Sequence, residues 1–408
     1  MSDLRKIETM LLVLFLAIFL SLGMASKGSA EKPDVITLGL ITDLSGPYAP
    51  SHSKFIGASE DVCDYVNNEL GGVDGVPIEV KSVDTGNKVD MAVYHYMKFR
   101  EMKPKPFFIM LGVSGEAEAL RPRLAEDEIP GFVVTSDPCI YPAAYSFGAY
   151  PSYPDQFGGF IDWMTETWSK KEPPRLAFLT WDTTFGRAVL TDECYKYAKA
   201  KGVEIVATEL YGIKDLDVTT QLVRIRAKKA DWIFSNTAFQ GTVIVAKGLK
   251  EMMSDIKLAA GIGLDRSTMR IDPVSLEGAV AMSNAFEYSV TGEPGVAKMM
   301  EYFNKHNRSE TDQALMYCLA WYYVSVARES INRAVQEVGW DRIGGPAIKD
   351  QLVKMKDFVA VGKGFAPFSY TEKRRAPSAL RIHQIRKKKY VPITDWRDAP
   401  DLRPAEYK

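Results

Sequence analysis

The chain has 408 residues, 46% of them hydrophobic and 25% charged, which at roughly 100–200 residues per domain is material for two or three domains with real cores. Its 51 Lys+Arg balance 52 Asp+Glu to a formal charge of −1, so nothing points to a nucleic-acid partner. The usage lies near the globular average, which excludes collagen-like, disordered and disulfide-scaffold chains.

The first thirty residues read as an address. Arg5 and Lys6 precede the apolar run Met10–Leu22 (MLLVLFLAIFLSL), and Gly23, Ala25, Ser26, Gly28, Ser29 and Ala30 follow it. A basic start, a short apolar stretch and a small-residue zone describe a secretory signal peptide, residues 1–30. The run spans 13 residues, short of the roughly 20 that cross a bilayer as a helix. Cleavage is expected after Ala25 or Ala30; the other readings are an uncleaved anchor or a buried helix. Removing 1–30 takes away three basic and two acidic residues and leaves a charge of −2, a near-neutral exported protein.

From there, strand-length apolar runs alternate with helical patterns. Val35–Ile41 (VITLGLI) predicts a strand and Phe55–Leu70 a helix, which Gly71-Gly72 stops. Ile78–Val83, a helix near Val89–Glu101, Phe107–Leu111, a helix near Glu116–Glu126 and Phe132–Thr135 follow. This β-α-β order is the signature of a parallel sheet with crossover helices. The Pro- and Tyr-rich passage Pro138–Pro154 then interrupts the pattern. Beyond it the order restarts, with strands at Leu176–Thr180, Glu204–Leu210, Trp232–Ser235 and Leu258–Gly261 between helices at Gln156–Trp168, Phe185–Lys201, Val218–Lys228 and Thr242–Met253. Two such runs predict two similar α/β lobes. Ala314–Glu337 is a long helix with Leu315, Leu319, Tyr322 and Val326 on one face. The tail from Gly364 alternates through Leu380, Ile382 and Ile385, which predicts strands. Its basic runs, Lys373-Arg374-Arg375 and Arg386–Lys389, read as a solvated hairpin or a docking surface for another protein.

Four cysteines (Cys63, Cys139, Cys194, Cys318) allow three full pairings, among which sequence does not choose. Cys63 and Cys194 fall on apolar helical stripes, so small buried thiols are expected there. Chemistry-bearing motifs are missing. His52, His95, His306 and His383 are scattered, and HExxH, GxSxG and GxxxxGK[ST] do not occur. Gly261-Ile262-Gly263-Leu264-Asp265-Arg266 follows a predicted strand but lacks the third glycine of a dinucleotide fingerprint. No cofactor, metal or catalytic residue is expected, and the chain is not read as an enzyme.

What remains is the physics of strand ends. In open parallel sheets ligands bind beyond the carboxyl ends of the strands, where helix N-termini present free N–H groups. In the first lobe those places hold Thr42–Tyr48, Gly112-Val113-Ser114-Gly115 and Thr135-Ser136-Asp137-Pro138. In the second they hold Trp181–Gly186, Asn236-Thr237-Ala238-Phe239 and Gly263-Leu264-Asp265. Serine and glycine at a helix start can cap it or bind a carboxylate with the same groups. Donors on one lobe facing aromatics and an acid on the other suit a small zwitterion with an apolar body.

The ordered set ITLGLITDLSGPYA (Ile36–Ala49), NNELGGVDGVPIEV (Asn67–Val80), LGVSGEAEAL (Leu111–Leu120), RLAFLTWDTTFGRAV (Arg175–Val189) and KGFAPFSY (Lys363–Tyr370) resembles the periplasmic substrate-binding proteins of ABC importers, in the branched-chain amino-acid (leucine/isoleucine/valine) binding family. The resemblance implies the type I periplasmic-binding fold: α/β, two Rossmann-like lobes with parallel central sheets joined by a hinge of three crossings. The lobes would be 31–149 plus 282–357, and 150–281 plus 358–408. It implies a hydrophobic or branched-chain amino acid as ligand and a membrane permease as partner. By the same resemblance Ser114 and Gly115 would hold the ligand carboxylate with Ser136 and Asp137 beside them. Tyr48 would cover the site, Phe185 would supply an aromatic wall, and Asp265 would pair with the ammonium. Tyr150, Asn236 and Thr237 complete the candidate set. Two departures bear on this: the family's Ser-Pro-x-x-Thr appears here as Thr135-Ser136-Asp137-Pro138-Cys139, and aligning Asp265 needs a gap. Without Asp265 in the cleft, an aromatic or other organic carboxylate or a small amide becomes the expected cargo. A ligand sensor on the same fold is the further alternative.

Overall fold

The computed structural model describes residues 32–133, 137–285, 287–362 and 365–408. The expected signal peptide and Ser136 lie outside these residues. Asp137 begins the helix Asp137–Ile140, and its side chain is likewise outside the description.

The first sheet is built from β1 (Ile36–Thr42), β2 (Ile78–Asp84), β3 (Phe108–Leu111), β4 (Gly131–Val133) and β5 (Ser146–Gly148), in the order β2-β1-β3-β4-β5 with every pair parallel. All seven residues of β1 are buried, as a strand covered on both faces requires. This is why β1 reads as a continuous apolar run rather than an alternating one. The chain goes from β1 to β2 on one side and then places β3 on the other. The carboxyl ends of β1 and β3 therefore diverge at a topological switch point, the usual location of a ligand crevice.

The second sheet repeats the device. Its strands are β6 (Arg175–Trp181), β7 (Glu204–Tyr211), β8 (Trp232–Ser235), β9 (Lys257–Ala260), β10 (Val280–Ser283), β11 (Ala379–Arg386) and β12 (Lys389–Pro392), with β13 (Arg397–Asp398) paired to β11. The order is β12-β11-β10-β9-β8-β6-β7. The pairs from β7 through β10 are parallel and β11 and β12 antiparallel. The switch point lies between β6 and β8. The alternating tail thus forms strands as expected, and its Arg386–Lys389 run is a tight hairpin turn. Lys387 and Lys388 adopt φ of 51° and 60° there, the left-handed pair that a type I′ turn needs. The Glu277 carboxylate accepts both of their amides (2.6 and 3.0 Å).

Three crossings join the sheets, after Gly148, after Ser283 and ahead of Ala379. Two expected boundaries shift. β10 continues in the second sheet to Ser283, past the 281/282 division. Residues 365–370, which the expected division puts in the second lobe, pack instead on the first. Phe365 and Phe368 lie against Tyr322 of the helix Leu315–Val338, and the Tyr370 hydroxyl donates to the Gly148 carbonyl (2.7 Å). Alternation reports a half-buried extended segment but not which lobe buries it. The helix Leu315–Val338 belongs to the first lobe, where the Tyr323 hydroxyl donates to the carbonyls of Gly39 and Phe108 (3.0 and 3.2 Å).

No disulfide is present among the described residues; Cys139, Cys194 and Cys318 are buried and Cys63 half-buried. The Cys139 thiol donates to the Ser114 carbonyl and that of Cys318 to the Tyr288 hydroxyl, both at 3.2 Å. A thiol-specific reagent is expected to titrate four thiols in denatured, unreduced protein and far fewer in the folded protein, with no change in melting temperature on adding a reductant.

Candidate functional site

Both switch points open onto one cavity of about 490 Å³, part of it open to solvent. From the first lobe it is lined by Tyr48, Ser51, His52 and the Gly112-Val113-Ser114 turn. Asp43 shapes the loop after β1. It is fully buried and its two carboxylate oxygens accept the amides of Gly46 and Tyr48, a fold-back that sets Tyr48 over the cleft. Tyr48 stacks on His52 (ring centroids 5.3 Å, 19°) and meets Trp181 of the second lobe edge-on (6.1 Å, 81°). The His52 ring bonds to the Thr42 hydroxyl (2.7 Å). Burial pushes its pKa down to about 3, so the imidazole is neutral at physiological pH. Ser51 is 1% exposed, and its hydroxyl has no partner among the described residues. A buried orphan hydroxyl facing a cavity is a group waiting for a ligand atom or water.

The turn after β3 needs Gly112, because a Cβ there would lie 2.0 Å from the Thr42 hydroxyl oxygen. Val113 then occupies the N-cap position of the helix Ser114–Glu126 and offers no capping side chain. Three other helix starts near the cleft are capped, with Thr183 accepting from the Gly186 amide, Ser152 from Asp155 and Asp265 from Thr268, whereas the helices that follow Phe239 and Ala314 have no cap from their own N-cap side chain. The first-turn N–H groups of Ser114–Glu126 are thus left without a described side-chain partner, at the positive end of a helix dipole.

Phe185, Ala238, Phe239, Ile262, Gly263 and Asp265 form the second-lobe wall. Phe239 sits at φ 50°, an uncommon conformation for an aromatic residue that recurs at ligand sites. Asp265 is 8% exposed. Its Oδ1 accepts from the Ser267 hydroxyl (2.7 Å) and the Thr268 amide (2.8 Å), and its Oδ2 from the Leu315 amide (2.7 Å). Among the described residues no Lys, Arg or His pairs with it. The neighbouring Arg266 is taken by Glu287. Two helix starts thereby stabilise a buried carboxylate whose charge no side chain neutralises, with lone-pair capacity left on Oδ2. The hinge supplies Tyr150 and Tyr153, whose hydroxyls bond at 2.9 Å, and the start of the first-lobe helix Leu315–Val338 adds Leu315 and Met316.

Of the residues expected from sequence, Tyr48, Ser114, Tyr150, Phe185 and Asp265 meet at the cavity. Gly115 lies beside it where the lobes touch; a Cβ there would be 3.8 Å from the Thr184 hydroxyl. Asn236 and Thr237 do not reach it. Asn236 donates to the Phe185 carbonyl (2.6 Å), and Thr237 bonds the hydroxyls of Ser235 (2.9 Å) and Thr242 (3.1 Å). They brace the loop from behind while Ala238 and Phe239 turn to the cleft. Ser51, His52, Tyr153, Ile262 and Met316 are missing from the sequence reading of the site, and Phe239 is named there in its loop but not in the candidate set. Phe239 and Ile262 stand just past strand ends already singled out; Met316 arrives from a distant helix and has no local signal.

Among the described residues no lysine or arginine lines the cavity, and no group of His, Cys, Asp and Glu could hold a metal ion. A profile of the periplasmic binding protein family matches residues 35–389. The chain belongs to the periplasmic binding protein family. This is an exported family of solute-binding proteins rather than enzymes. No described helix is long and apolar enough to cross a membrane. Among solved structures, the chain is similar to a branched-chain amino-acid ABC transporter protein of Thermus thermophilus with bound valine. That match has 20% identity and a TM-score of 0.80 over 90% of this chain and 97% of that one. It is also similar to a fatty acid ABC transporter substrate-binding protein of Thermomonospora curvata (17%, 0.79, 92% and 96%). A third is a leucine binding protein of Thermotoga maritima (15%, 0.74, 90% and 99%). At these identities the likeness establishes the type I periplasmic-binding fold, two lobes with parallel central sheets. It leaves the ligand to the chemistry of the cavity.

Proposed function

We propose that the protein is an exported receptor, freed of residues 1–30, that captures a hydrophobic amino acid between its lobes and delivers it to the membrane permease of an ABC importer. The observation that carries this reading is the opposition across one cavity of unpaired donors and an unneutralised acid. The Ser114–Glu126 helix start and the Ser51 hydroxyl face a ligand carboxylate, and Asp265 faces an ammonium. Val113, Phe185, Phe239, Ile262, Leu315 and Met316 surround an apolar side chain. Closure follows from differential affinity, because only the closed form touches the ligand from both lobes.

A second reading rests on the three hydrogen bonds Asp265 already accepts. A carboxylate so served does not require an ammonium, and an aromatic or other organic acid would then be the cargo. Calorimetry with L-leucine, L-valine, L-phenylalanine, benzoate and octanoate separates the two. Micromolar or tighter binding of an L-amino acid, with none of the bare acids, supports the first reading. Binding of benzoate or octanoate with no response to the amino acids replaces it with the second.

A further inference from the structure

Glu116 lies in the first turn of the helix Ser114–Glu126 and is 1% exposed. Its Oε1 accepts the Thr85 hydroxyl (2.5 Å), while Oε2 is buried and has no partner among the described residues. Among the described residues the groups facing it are acidic or neutral, and Arg187 on the adjoining helix Thr184–Arg187 is exposed and held by Asp182. Asp43 comes from the loop after β1, Asp84 from the end of β2, and the Tyr48 phenol from over the cleft. Asp43 is committed to the amides of Gly46 and Tyr48, and Asp84 to those of Leu44 and Gly86. On the adjoining helix Val89–Glu101, His95 bonds the Asp84 carbonyl (3.1 Å) and Arg100 is held by Asp127. Lys88, next to that helix, is exposed. Among the described residues no cation pairs with Glu116. Burial, partly offset by the Thr85 bond and reinforced by Asp43 and Asp84, pushes its pKa up to about 7.

We infer that Glu116 is a positioning residue that couples capture of the ligand carboxylate to uptake of one proton. The inference rests on the reading that the first turn of Ser114–Glu126 holds that carboxylate. An ionised Glu116 puts a second negative charge in the same turn, opposing the ligand in the field of the helix N-terminus. A proton removes that charge and makes Oε2 a donor. The sign follows: the complex binds more protons than the free protein, so affinity rises as pH falls through the neutral range. For one proton the dependence is at most about tenfold per pH unit.

The test is calorimetry of L-leucine and of benzoate from pH 5.5 to 8.0 with wild type, Glu116→Gln and His95→Asn. For whichever probe binds, the wild-type Kd is expected to rise about 3- to 30-fold across this range. Glu116→Gln should flatten the profile and His95→Asn should retain it. Repeating the wild-type titration at pH 7 in two buffers of different ionisation enthalpy should reveal proton uptake, a readout that needs no variant to fold. A flat wild-type profile with no uptake, or the same slope in Glu116→Gln, overturns the coupling while leaving the binding site standing. A slope lost in His95→Asn assigns the proton to that histidine and also overturns it. Failure of both probes at every pH rejects the carboxylate site itself, and the coupling with it.

Discussion

Asp265→Asn is expected to weaken binding of L-leucine by about 2–4 kcal/mol, roughly 30- to 1,000-fold, because it removes an acid that faces the cavity and that no described cation neutralises. The substitution keeps the shape of the side chain and one carbonyl oxygen, which can still accept from the Thr268 amide and cap the helix Arg266–Ile271. What it loses is charge, and it sets an amide NH₂ where Oδ2 now accepts the Leu315 amide. Donor then faces donor, so a drop in stability of about 1 kcal/mol should accompany the change. Calorimetry on folded protein, checked by its thermal transition, separates the two effects. A folded variant with wild-type affinity for L-leucine would sink the amino-acid reading.

Gly112→Ala is expected to destabilise the protein by about 1–3 kcal/mol and to weaken ligand binding more than tenfold. The added methyl would lie 2.0 Å from the Thr42 hydroxyl oxygen and 2.7 Å from its Cβ. Thr42 cannot simply rotate away, because its hydroxyl is bonded to His52, and His52 in turn carries Tyr48. The strain therefore falls on the turn that aims the Ser114–Glu126 helix start at the cavity. Residues that share a contact are not additive. Thr42→Ala is accordingly expected to recover part of the loss when combined with Gly112→Ala, although alone it strips His52 of its partner. Thermal melts of the two single variants and the double variant measure the coupling. Plain additivity would show that the close approach of β1 and β3 is not what the glycine serves.

Much of this site is legible along the chain. The strand ends at Thr42, Leu111 and Trp181 follow from apolar runs that are local, and they bring Tyr48, Ser114 and Phe185 into consideration by position alone. The misplacement of Asn236 and Thr237 has an equally local cause, but one invisible in residue types. The backbone turns sharply at Phe239, with φ 50°, so the polar pair points inward and the apolar pair outward. Polar residues at a strand end are ambiguous for this reason, since they can satisfy the loop as well as a ligand. Ser51 and His52 were overlooked because Ala49–His52 is a single helical turn, too short to show a period.

Hydrophobic periodicity and strand-end chemistry, properties of neighbouring residues, are sufficient to determine that this chain makes two α/β lobes and that their facing edges carry donors and an acid. Which side chains share the cavity was decided only when the lobes met. Asp265 is bonded by the amide of Leu315, 50 positions away, and Tyr150 and Met316 reach the cleft from separate parts of the chain. Phe365 and Phe368 found their place against Tyr322 rather than in the sheet that follows them. The physical reason is the same in each case. A buried contact depends on the distance between atoms in space, and the hinge makes that distance independent of separation along the sequence.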